Sequence, residues 1–219
     1  MAKALLIFAK QPLPGKVKTR LSPPFSLQDA ADIYRCMLSD TLAKVADLPG
    51  AERFLFIEPA SGALDFFRNA FPGITVFPQE GDGLGERLKK AFEKVFALGF
   101  TSVAAIGTDS PDLPLSHLEE SFRVLEERGA DVIFGPAADG GYYLVALGKF
   151  CPGLFRDIPW STNRVLEKST EAAAAFGLQV VTLPVWHDLD TVEDLKRFLV
   201  AGSPENAPCT FRFLQEKRV

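Results

Sequence analysis

The sequence has no excess of positive charge, no apolar run long enough to cross a bilayer and only three cysteines. A formal net charge of −4 and a pI near 5.3 argue against nucleic acid or an anionic membrane as the main partner, because both are bound through clustered cations. Any anion site must therefore be local. Cys36, Cys151 and Cys209 are far apart, odd in number and without metal-ligand spacing, which fits a reducing compartment, the cytoplasm, better than a disulfide scaffold. The apolar run from Ala4 to Ala9 stops at Lys10, too short for a signal peptide or a membrane span. No linker, internal repeat or low-complexity stretch is evident, so a chain of 219 residues with 47% apolar content reads as one domain over 1–219. Two nucleotide fingerprints are also missing. The Walker pattern G-x-x-x-x-G-K-[ST] does not occur, and no G-x-G-x-x-G follows the first strand, which disfavours a Rossmann oxidoreductase.

What is present alternates between strand and helix signals. Continuous apolar runs at Ala4 to Phe8 and Val103 to Ile106 suit parallel strands covered on both faces. Phe54 to Ile57, Ile74 to Phe77, Val132 to Phe134, Tyr142 to Leu147 and Val180 to Leu183 supply further strands. Ser26 with Asp29, Ser116 with Glu119, and Thr191 with Asp194 have capping-box spacing, and Ser61 can cap a short helix through Phe67. Helices are also expected over Leu84 to Leu98 and Asn163 to Phe176, each stopped by a glycine. The tail from Ala201 is weakly patterned. The strands at 132–134 and 142–147 are too close for a helical crossover, so one strand should run against the others. The expectation is an α/β three-layer sandwich with a mostly parallel, mixed sheet and ligands at the carboxyl ends of its strands.

Five segments carry candidate chemistry. The loop Lys10 to Arg20 follows the first strand and crowds four cations: Gly15 allows close backbone approach, Lys16 and Lys18 offer point charges, and Arg20 can grip phosphate oxygens in bidentate fashion. A solvated basic loop is the competing reading. Gln79 to Arg87 places Gly81, Gly83 and Gly85 between a strand and a helix, suited to a base or ribose or simply to a turn and helix entry. Gly107 to Pro114 puts Asp109 at the end of the most buried strand, where a hard cation with phosphate ligands needs a carboxylate. Asp112 there reads equally as an Asx turn. Asp188 and Asp190 alternate after the last strand, and a cation would relieve their repulsion; Asp190 also suits a helix amino terminus, and His187 is open between ligand, base and surface residue. Asp139, Gly140, Gly141 and Tyr142, with Trp160, could receive an acceptor hydroxyl, or form a tight turn and a packed aromatic.

Together Phe8 to Leu21, Gln79 with Gly83 to Leu88, Gly107 to Pro114, Asp139 to Tyr142 and Asp188 to Thr191 resemble the nucleotide-diphospho-sugar transferase superfamily. The nearest likeness is its small bacterial group of glycosyltransferase-like proteins related to the molybdenum-cofactor and phospholactate guanylyltransferases. The resemblance covers nearly the whole chain. It implies a GT-A-like sandwich and a nucleotide cradled by Lys10, Gly15, Lys16, Thr19, Gln79, Gly83 and Gly85. It also implies Mg²⁺ or Mn²⁺ on Asp109, Asp188 and Asp190, with Lys18, Arg20 and Asp109 as the catalytic set. Related pyrophosphorylases begin with a more glycine-rich loop, so their base preference does not carry over. The expected activity is metal-dependent transfer from a nucleotide-activated donor to a small-molecule acceptor, glycosyl transfer first and nucleotidyl transfer with release of pyrophosphate close behind. A non-catalytic nucleotide-binding protein is the third reading. Base, sugar, acceptor, preferred metal and oligomeric state are not encoded in any of these motifs.

Overall fold

The computed structural model describes residues 2–127 and 129–217; Met1, Arg128, Arg218 and Val219 lie outside the described residues. Its strands are β1 (Lys3–Ala9), β2 (Ala51–Ile57), β3 (Thr75–Pro78), β4 (Ser102–Ile106), β5 (Val132–Pro136), β6 (Tyr142–Leu147) and β7 (Val180–Thr182). They form one sheet in the order β3-β2-β1-β4-β6-β5-β7. β6 runs antiparallel to both β4 and β5, while every other pairing is parallel. The short connection between β5 and β6 enforces that reversal, as the spacing of the two apolar runs indicated.

Side-chain alternation along β1 divides the core. Leu5, Ile7 and Ala9 face α1 (Leu27–Ala46), α2 (Ala63–Ala70) and α4 (Leu115–Glu127), packing on Leu38, Phe67 and Phe122. Ala4 and Leu6 face α3 (Leu84–Ala97) and α5 (Val165–Ala175), packing with Phe92 and Ala173. The period of two along the strand thus builds both outer layers at once. A further cluster joins the far side of α1, through Ile33 and Met37, to α6 (Val192–Ala201) and α7 (Pro208–Glu216).

Several local expectations hold and several are corrected. Capping boxes form at Ser26/Asp29 and Thr191/Asp194. Ser61 does not cap α2, whose N-cap is Gly62 in the left-handed region, and Ser116 lies inside α4, which already begins at Leu115. The weakly patterned tail contains α7, because its helix is fixed by tertiary contacts more than by its own sequence. Cys36 and Cys209 are disulfide-bonded across 173 residues, with Cα atoms 5.1 Å apart. Distance along the chain gave no hint of this pairing, and the cysteine pattern no longer argues for a reducing compartment.

Beside that bond, the buried carboxylate of Asp40 accepts from the backbone N–H groups of Cys209 and Thr210 at 3.0 and 2.8 Å and from the Thr210 hydroxyl at 2.7 Å. It serves the amino-terminal turn of α7 as a cap supplied from α1. Asp40→Ala strands those donors in a buried setting and should cost about 1–3 kcal/mol of unfolding free energy by urea titration, with Asp40→Asn losing less.

Candidate functional site

The strand order reverses direction between β1 and β4, since β2 and β3 extend to one side and β6, β5 and β7 to the other. Adjacent parallel strands whose connections diverge leave a crevice at their carboxyl ends. Here it is a cavity of about 750 Å³, bordered by the loop after β1, the loop after β4 and the segment at 188–190. That last segment returns from the sheet edge. Trp186 N–H donates to Pro136 O at 3.0 Å, Ala138 N–H donates to Trp186 O at 3.0 Å, and Leu189 N–H donates to Asp109 O at 2.9 Å. This backbone ladder carries Asp188 and Asp190 across the end of β5 to the end of β4.

Lys18 sits at the centre. Its Nζ lies 2.5 Å from Asp109 Oδ1 and 2.7 Å from Asp190 Oδ1, and its side chain is 4% exposed while those of the aspartates are 47% and 40%. Burial alone pushes the ammonium's pKa down, but the two carboxylates outweigh it and hold Lys18 charged, above its ordinary value. Asp188 accepts from Ser110 Oγ at 2.5 Å. Burial first, then the charge of Asp109, raises its pKa to about 6.

The expected residues are only partly gathered. Lys10, Lys16, Lys18, Thr19 and Arg20 all border the cavity, as do Gln79, Gly83 and Tyr142. Lys16, Thr19 and Arg20 are exposed, and neither Lys16 nor Arg20 pairs with a carboxylate among the described residues. Lys18 is different, because it is committed to aspartates instead of standing free for phosphate. Lys10 lies 3.6 Å from Glu58, which also takes Arg87 at 2.9 Å. Burial pushes Glu58 up, yet the Arg87 hydrogen bond and the two cations hold it below the usual carboxylate range. Gln79 donates its amide to Phe56 O at 2.9 Å and so braces the end of β2. Asp112 accepts from Trp186 Nε1 at 3.2 Å, tying the β4 loop to the returning segment.

Gly15, Gly85, Gly140, Gly141, Asp139 and Trp160 are not on the cavity wall. A Cβ on Gly85 would meet Trp160 Nε1 at 2.4 Å, so this glycine makes room for an indole rather than for a ligand. Gly140, at φ +91, lies so close to the Asn163 backbone that a Cβ would meet its oxygen at 2.1 Å. Asp139 accepts from Gly141 N–H at 2.8 Å, which is turn chemistry. It borders a smaller hollow of about 320 Å³ with Arg20, His187, Asp188 and Asp190. The three-aspartate ion cage is likewise not assembled. No group of three His, Cys, Asp or Glu side chains placed to hold an ion occurs among the described residues; the Lys18 ammonium lies between Asp109 and Asp190.

Two contributors were invisible in the sequence. Tyr34, on α1, accepts from Lys10 N–H at 2.9 Å and exchanges a 2.8 Å hydrogen bond with Thr108, bridging the loops after β1 and β4. Burial, then the Asp109 charge, pushes its phenol up to about 12; by helical spacing it reads as plain core. Ser161 borders the cavity with φ +63, a conformation that favours glycine, and no sequence signal marks it.

With these geometries established, the comparisons with known proteins become informative. A candidate nucleotide-diphospho-sugar transferase from Desulfovibrio desulfuricans G20 superposes with a TM-score of 0.92 and 34% identity, over 99% of this chain and 95% of that one. The inositol-1-phosphate CTP transferase from T. maritima follows at 0.57 and 14%, covering 98% of each chain. Rv0371c from Mycobacterium tuberculosis H37Rv, in complex with manganese, gives 0.55 and 17%, over 92% of this chain and 100% of that one. The two distant matches show the fold alone. The fold is that of the nucleotide-diphospho-sugar transferases. Residues 41–162 match the family described as an uncharacterized protein conserved in bacteria (DUF2064), and the chain belongs to that family. No curated protein matches it in sequence. Among the described residues no helix is long and apolar enough to cross a membrane.

Two predictions follow from the local energetics. Because the pKa of Asp188 is raised in the folded state, its stabilising contribution is complete below its unfolded value and lost as pH rises through about 6. In chelator, Asp188→Asn should therefore raise the melting temperature at pH 8, by on the order of 2 kcal/mol of stability, and leave it nearly unchanged at pH 4. Ser161→Gly relieves a left-handed residue and should stabilise the protein by up to about 1 kcal/mol in urea unfolding.

Proposed function

We propose that the chain is a transferase acting on a nucleotide-activated donor, with the donor phosphates on the Lys10 to Arg20 loop and a small-molecule acceptor entering past Tyr142. The observation that carries this reading is the convergence of the exposed Lys16 and Arg20 with Asp109, Asp188 and Asp190 on one cavity at the strand reversal. The volume of about 750 Å³ suits a nucleotide with room for a second small substrate.

The residues fit a divalent ion held by one or two carboxylates and completed by phosphate oxygens, the mode usual for Mg²⁺. Asp109 is half exposed toward the cavity, and its charge helps push Asp188 up, a repulsion that an ion beside them relieves. Asp109, with one of Asp188 and Asp190, would hold Mg²⁺ or Mn²⁺. When bound there, the ion supplies neutralisation of phosphate charge. In glycosyl transfer an acceptor hydroxyl oxygen bonds to the donor's anomeric carbon and gives up its proton to solvent, the carbon–oxygen bond to the diphosphate breaks, and a nucleoside diphosphate departs with that bond's electron pair. Its growing negative charge faces Lys16 and Arg20, whose guanidinium suits two phosphate oxygens.

Nucleotidyl transfer is the second reading, favoured by the loop's four cations, of which Lys16 and Arg20 stand unpaired and Lys10 and Lys18 are held by carboxylates at the same cavity. There the acceptor oxygen bonds to the α-phosphorus and pyrophosphate leaves. Titrating nucleoside triphosphates, nucleoside diphosphates and UDP-, GDP- and ADP-sugars with and without Mg²⁺ identifies the donor, and the released nucleoside diphosphate or pyrophosphate separates the two reactions. Asp109→Ala should abolish Mg²⁺-dependent nucleotide binding in calorimetry while the far-UV spectrum is kept. Parent-like binding by that variant would remove Asp109 from the site.

A further inference from the structure

Lys18 is the most enclosed charged group of the cavity. Its side chain is 4% exposed, yet both aspartates it contacts open toward solvent. A divalent ion approaching Asp109 therefore meets a carboxylate already paired with an ammonium 2.5 Å away, and an ion approaching Asp190 meets the same ammonium at 2.7 Å. Two cations cannot share those oxygens at such distances without strong mutual repulsion. The lysine stem is long and rotatable, so the ammonium can leave without displacement of the backbone. A destination is supplied by its neighbours: Lys16 and Arg20, two residues to either side, line the same cavity without a carboxylate partner among the described residues. A phosphate chain gathered by them comes within reach of Lys18.

We propose that Lys18 is the resident counter-ion of this site, that a divalent cation competes with it for Asp109 and Asp190, and that phosphate groups shift the balance by drawing the ammonium away. Metal alone then binds weakly, and metal with a phosphate ligand binds with strong positive coupling, since the ligand that attracts Lys18 vacates the carboxylates. The second half of the proposal rests on the phosphate-binding reading given above. The competition itself does not.

The test uses the full chain after chelator treatment and Mn²⁺ alone as probe, with free Mn²⁺ counted by electron paramagnetic resonance. Lys18→Met should bind Mn²⁺ at least tenfold more tightly than the parent. Adding inorganic pyrophosphate should tighten Mn²⁺ binding by the parent at least tenfold and by Lys18→Met by less than threefold. Equal or weaker Mn²⁺ affinity in Lys18→Met overturns the competition, and equal coupling in the two proteins overturns the phosphate-driven exchange. If Lys18→Met fails to fold, ¹⁵N spectra of the parent's lysine ammonium groups decide. The Lys18 signal, protected by burial in the metal-free protein, should shift on addition of saturating Mg²⁺ and pyrophosphate, and an unmoved signal overturns the proposal. Failure of every nucleotide to bind, with the Mn²⁺ difference intact, would remove the nucleotide reading and leave the competition standing.

Discussion

Closing a lysine from near the amino-terminal end between one aspartate from the middle of the chain and another from its last thirty residues is the constraint around which the structure is organised. An ammonium taken from water loses solvation that only paired carboxylates at hydrogen-bonding distance can replace, and Lys18 has both. Meeting that requirement depends on topology. Asp109 comes with β4, the immediate neighbour of β1, so its position is set by strand pairing in register from Lys3 and Ser102 onward. Asp190 comes from beyond the far sheet edge and reaches Lys18 only because the segment after β7 is laced to Pro136 and Asp109 by backbone bonds. Remove the lacing and the ammonium loses half of its compensation.

Helix α1 supports this centre from one side and the carboxyl-terminal region from the other. Tyr34 joins the main chain at Lys10 to Thr108, while within the next two turns Cys36 and Asp40 fasten α7. Lys44, further along the same helix, donates to Pro111 O beneath the Asp109 loop; burial lowers its pKa to about 8. A single helix therefore references the two ligand-facing loops to each other and to the last helix. Its buried polar groups are arranged in series along one element, each satisfied by a different part of the chain.

The legibility of the sequence follows from the range of the interactions concerned. Elements governed by local periodicity and caps were readable: β1 and β4 from unbroken apolar runs, α1 and α6 from capping boxes, and the reversed β6 from the shortness of one connection. The placement of Asp109 at the cavity was readable because it follows directly on a buried strand whose carboxyl end faces the crevice. What escaped depends on contacts between distant residues. The bond of Cys36 to Cys209, the cap that Asp40 gives α7, and the bridge made by Tyr34 have no local trace. Gly85 and Trp160 were singled out as ligand residues although they complement each other; a small residue facing a large one across 75 positions leaves no periodic signature. Lys18 was read as a phosphate ligand because a basic loop shows its charges but not their partners.

On the proposed reading, the local balance of charge lets an acidic protein present an anion site. At physiological salt, fields from exposed charges fade over about 8 Å, so the net charge of −4 matters less to a ligand in the cavity than the groups lining it. Lys18 and its two aspartates sum to minus one, and Asp188 adds negative charge above pH 6; the exposed Lys16 and Arg20 offset that. These six groups thus cancel around the aspartates, while Lys10, Lys44 and Arg87 against Asp82 leave the rest of the cavity wall positive. A phosphate chain accompanied by a divalent ion satisfies both sets of groups simultaneously, with the anion on the loop and the cation on the aspartates. On the reading proposed above, such a site would discriminate by requiring the pair, with the buried lysine balancing its two halves until the pair arrives.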